Sequence, residues 1–153
     1  MKKGINEFAA KLMLLGEILN IKHDALLGIK NITDNQGAVF SQNENGSLNV
    51  MLNEMNIEKQ ALIDKVIEAD ERFQTTFDSL GEAFENNAQE HPTEIAGMQD
   101  MIKKIFSLDT EIRIAEEKNK KSYEQKRAGS AMAMPVRRKQ AAQIYAKNKN
   151  YQG

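Results

Sequence analysis

The chain contains no cysteine and no tryptophan, and only two of its 153 residues are proline. Without cysteine there is no disulfide, no thiolate metal site and no thiol nucleophile, a composition compatible with a reducing compartment. The first proline is Pro92, so none interrupts the first half of the chain. Aromatic residues make up 6%, and nowhere do β-branched and aromatic residues cluster with the period of two that strands require. No run of about 18 apolar residues is present to span a bilayer, and the N-terminus has neither the apolar core nor the cleavage site of a signal peptide. The expectation is an all-α cytoplasmic protein. Charge of one sign is also missing overall: 21 Lys and Arg stand against 22 Asp and Glu, a formal net charge of −1.

What is present is helical periodicity. From Ser47 to Asn86, Met55, Leu62, Val66, Ala69, Phe73, Phe77, Leu80 and Phe84 recur at steps of three, four or seven, the spacing of one apolar seam on a long helix. Glu58, Lys65, Glu68, Arg72 and Asp78 occupy its other faces, so the helix is amphipathic and needs partners. An earlier helix is expected from Ile5 to Lys30, where Phe8, Leu12, Leu15, Leu19 and Leu26 form one row that Leu14, Ile18, Ile21 and Ala25 widen. That stripe suits packing against two neighbours better than a membrane surface, because Glu7, Glu17 and Asp24 dilute its positive charge. Between Asn31 and Gly46 the asparagines and glycines favour a loop, with Ser47 as a plausible N-cap for the next helix. A third helix is expected from about Thr93 to Lys126, carried by Ile95, Met98, Met101, Ile102, Ile105, Leu108, Ile112 and Ala115. It should run antiparallel to the second, since the connection is short. The resulting architecture is an elongated antiparallel helical hairpin or bundle over residues 1–127, with a loop at 31–46 and a basic tail at 128–153.

Residues 125–153 contain no Asp or Glu but seven Lys and Arg. Gly129 and Pro135 interrupt the helical pattern there, Ala131 to Val136 form a small apolar patch, and Ala141 to Ala146 could make a last, weakly apolar helix. Seven cations with Tyr145 and Tyr151 could follow a phosphate backbone. The balanced charge and the lack of a recognition motif favour docking on its own bundle or on a protein instead. Eight methionines add adaptable apolar surface, and Met51, Met55, Met132 and Met134 could line a groove for another helix.

Groups that carry chemistry are sparse. His23 and His91 fall in different elements, and neither belongs to a Glu-x-x-His or His-x-x-x-His pattern. Asp64, Glu68 and Glu71 lie near one helical face, but Lys65 and Arg72 are interleaved with them, as on a solvated face. There is no Walker-type loop, no Gly-x-Gly-x-x-Gly and no Gly-x-Ser-x-Gly. No catalytic residue, cofactor or metal site is expected, and no small-molecule substrate.

The order of elements resembles the flagellar type III export chaperones of the FlgN/FliT kind. The residues carrying the resemblance are Leu48 to Leu52 leading into Glu58 to Val66, then Asp70-Glu71-Arg72-Phe73. Further on come Ile102-Lys103-Lys104-Ile105, Leu108-Asp109 and Glu116-Glu117-Lys118-Asn119, with Tyr145 in a basic, Asn-rich tail. It covers roughly residues 5 to 150. The segment from Asn31 to Gly46 and the alanine-methionine patch around Pro135 depart from the family pattern. The resemblance implies a non-enzymatic cytoplasmic chaperone or adaptor that holds hook-associated or filament-cap subunits by helix-helix contacts and delivers them to the export apparatus. It also implies Met132, Met134, Val136, Ile144 and Tyr145 as the partner-binding residues. A structural coiled-coil assembly protein is the alternative, sealed into oligomers along its apolar seams, and a nucleic-acid accessory protein a further one; a homodimer is compatible with the first two.

Overall fold

The computed structural model describes the backbone of residues 2–42 and 47–133 and the side chains of residues 7–41 and 49–125. It is all-α, with no strand among the described residues: α1 spans Lys2–Gln42, α2 Ser47–Leu80, α3 Glu82–Asn87 and α4 Pro92–Ala133, with a 3-10 turn at Ala88–Glu90 between the last two. Among the described residues no helix is long and apolar enough to cross a membrane.

α1 lies at the centre, and α2 and α4 each pack chiefly on it. Phe8, Leu12, Leu15, Leu19, Leu26 and Ile29 recur at alternating steps of four and three, with one gap at Lys22, and all are buried. Ile18, Ala25 and Ile32, seven residues apart, widen that buried surface, which is how one helix serves two neighbours. The neighbours are less covered. Among the described side chains of α2, Ala69 and Leu80 are the buried apolar residues, while Leu62, Val66 and Phe73 are half-buried. α4 contributes Met98, Ile105, Leu108 and Ile112. Contacts of Lys11 with Ser79 and of Lys22 with Asp70 run α2 antiparallel to α1. Contacts of Phe8 with His91 and of Phe40 with Tyr123 run α4 parallel to it. The expected antiparallel direction of α2 and α4 therefore holds, but the two do not form the scaffold as a hairpin; α1 is the element they share.

Local chemistry explains the sharp turn between them. Gly81 ends α2 in the left-handed region at φ 51, where a glycine carries no Cβ penalty. Pro92 opens α4, where its missing N–H is not needed, and the Ile95 N–H bonds back to the His91 carbonyl at 3.0 Å. Phe84 and Phe77, 5.1 Å apart, fill the corner above Phe8.

Two expected boundaries need correction. The segment 31–46, expected as a loop, is helical as far as Gln42. Thr33 and Gln36 face a polar layer between helices, and Ile32 and Phe40 continue the packing. Likewise the division at residue 127 is not a helix end, because α4 runs through Gly129 to Ala133. An isolated glycine costs a helix only about 1 kcal/mol, too little to end one of 42 residues.

Candidate functional site: an interhelical groove and a polar layer

The alternating steps of α1 continue through Lys22, Thr33, Gln36 and Phe40, and those of α2 and α4 pass through Lys59 and Asn119. Polar residues thus take core positions on all three helices, and the fold brings most of them to one level. Thr33, fully buried, donates to the Ile29 carbonyl at 2.7 Å and to Glu116 Oε1 at 3.3 Å. The Lys59 ammonium, nearly buried on α2, donates to Gln36 Oε1 at 3.1 Å and to Glu116 on α4. Gln36 Nε2 donates to Asn56 Oδ1 at 2.7 Å, and Asn119 Nδ2 to the Thr33 carbonyl at 2.8 Å. No buried side-chain N or O among the described residues lacks a partner. Such a layer adds little net stability but fixes register, since any slip strands a buried charge.

Beyond this layer, towards the middle of the bundle, α2 and α4 stand apart over α1. Ile18 and Leu19 form the floor of a groove of about 350 Å³, with Ala69 and Phe73 on one wall and Ile102 and Ile105 on the other. Lys22 and Asp70, paired at 2.6 Å, mark its α2 edge. Ile102 is 45% exposed and Phe106, one turn on, 72% exposed. The groove is apolar, open and flanked by helices, the surface into which an amphipathic helix lays its apolar stripe.

The residues weighed for chemistry do not converge. His23 faces Asp24 at 4.0 Å beside a shallow depression bordered by Asp100, Lys103 and Glu111, whereas His91 packs against Phe8 at the far end of the bundle. Asp64, Glu68 and Glu71 are all exposed, with Asp64 accepting from Gln60 at 3.0 Å. Among the described residues no three His, Asp or Glu are placed to hold a metal ion. The pKa of Lys30 is raised above the usual lysine value by its hydrogen bond to Asp34. That pair is exposed, and any support it gives is present below the ordinary lysine range and lost as pH rises through the raised value.

Of the residues implied as partner contacts, Met132 lies on α4 with its side chain outside the described residues, and Met134, Val136, Ile144 and Tyr145 lie outside them altogether. Sequence reasoning missed the groove and the polar layer. Its available signal was the apolar pair Ile102 and Phe106, one position off the α4 seam, and the seam steps that pass through polar residues.

Open three-helix bundles built around one central helix are the class this fold defines. Comparison with protein-family models, with curated proteins and with solved structures finds no match.

Proposed function

We propose that this protein is a non-enzymatic chaperone or adaptor that holds an amphipathic helix of a partner protein in the groove between α2 and α4. The observation that carries the reading is an apolar groove left open between two helices, with Ile102 on its wall 45% exposed. A fourth helix would complete the bundle there, and burial of its stripe would contribute at roughly 25 cal/mol per Å² before ordering costs. The resemblance of the sequence pattern to flagellar export chaperones supplies the partner class: late flagellar subunits, hook-associated or filament-cap, held in the cytoplasm before export. The test is co-expression with such subunits and pull-down by the full-length chain. Retention that falls at least tenfold with Ile102→Asp, about 1.4 kcal/mol, supports the groove as the seat. Retention that Ile102→Asp leaves unchanged overturns that seat, and no retention of any such subunit overturns the flagellar partner.

A further inference from the structure

We infer that, when no client is present, the groove between α2 and α4 is covered by the basic segment 134–153 of a second copy of this chain, in a reciprocal antiparallel dimer. The near-neutral total conceals a strong polarity along the molecule. From Asp64 to Asp100 there are ten carboxylates and two cations, whereas from Met101 to Gly153 there are thirteen cations and five carboxylates. The first stretch covers the second half of α2, α3 and the start of α4, at the Phe8 end; the second, as far as Ala133, leads away to the opposite end. Two copies side by side and antiparallel set each acidic half against a basic one, twice, in a closed two-fold pair.

Segment 134–153 has the chemistry for the groove at the border of the acidic half. It carries five cations and no carboxylate, and Ala141, Ile144 and Tyr145 fall three and four residues apart, on one face of a helix. Its own groove is out of its reach as a helix. Ile105 lies about 42 Å back along α4 from Ala133, and twenty residues of helix extend only about 30 Å. An extended strand would reach, but its backbone N–H and C=O groups would lie unpaired against apolar side chains. In the antiparallel pair the partner's Ile105 stands level with Lys120, about 20 Å back from Ala133 and so within that helical length.

Light scattering on the full-length chain tests this. At about 50 mM salt the expected mass is twice the 17.3 kDa of one chain, falling towards one chain at about 500 mM, where charges are screened within a few ångströms. Full-length variants with Arg137→Glu, Arg138→Glu and Lys139→Glu, or with Ile102→Asp, should be single chains at both salts and melt like the wild-type chain at about 500 mM salt. A single-chain mass at low salt, or a dimer indifferent to both variants, overturns the inference. Because the chain has no cysteine, Gln74→Cys and Ala141→Cys can be placed on separate copies and mixed. A disulfide joining the two chains is expected; its absence, or an internal disulfide in a chain carrying both, overturns the inference. A dimer that binds no client counts against the chaperone reading alone, and a client-binding monomer against the dimer alone.

Discussion

Gly37 and Gly16 lie on the same helix and should respond to alanine in opposite ways. A Cβ on Gly16 meets nothing within 4 Å, but on Gly37 it would stand 2.6 Å from Asn119 Oδ1. The Asn119 amide cannot swing aside without losing its bond to the Thr33 carbonyl. Gly16→Ala should therefore stabilise by about 0.5–1 kcal/mol through helix propensity. Gly37→Ala should destabilise by about 1–2 kcal/mol in spite of the same gain. Urea unfolding of both variants checks this, and adding Asn119→Ala to Gly37→Ala should recover most of the loss. Equal stabilisation by both alanines would mean that α1 and α4 do not approach closely at Gly37.

At the scale of the element, α4 presents two neighbouring residues of opposite consequence. Ile105 is buried on the seam with α1, while Phe106 is 72% exposed. Ile105→Ala should cost about 2–4 kcal/mol through lost transfer energy and a cavity. Phe106→Ala should stay within about 0.5 kcal/mol in the monomer, and chemical denaturation at high salt separates the two. How such elements were legible follows from the same seam. The existence of α2 and α4 followed from apolar residues at steps of three and four, because that period is local, and their antiparallel direction from the short connection between them. The end of α1 did not, because Thr33 and Gln36 occupy seam positions with polar side chains whose partners, Glu116, Lys59 and Asn56, are remote in sequence. Read alone, Asn31, Asn35 and Gly37 have the chemistry of a turn; between α2 and α4 that stretch is helix. The groove was illegible for a related reason, since its walls belong to separate helices and only their spacing opens it.

Across the whole molecule, the central place of α1 should govern local stability. Amide exchange should be slowest in α1 between Leu15 and Ile29, which both neighbours cover, and fastest in α3, which has no buried residue. Protection greater in α2 than in α1 would contradict the shared-helix arrangement. The polar layer acts at this scale too. It joins all three long helices through Gln36, Lys59 and Glu116, near the end opposite the aromatic corner of Phe8, Phe77 and Phe84. One end of the bundle is thus held by register-specific bonds with the Phe40–Tyr123 ring contact beside them, and the other by ring packing, with the open groove between the two.

By itself the sequence determined that this chain is helical, that its helices are long and amphipathic, and that its cations gather towards the C-terminus. Those properties depend on residue type and near-neighbour spacing alone. Tertiary structure decided which helix stands between the others, which polar residues meet, and where apolar surface is left uncovered. Each of these depends on the relative register of helices whose contacting residues are as far apart in the chain as Thr33 and Asn119, separated by 86 positions, and no local period carries that information.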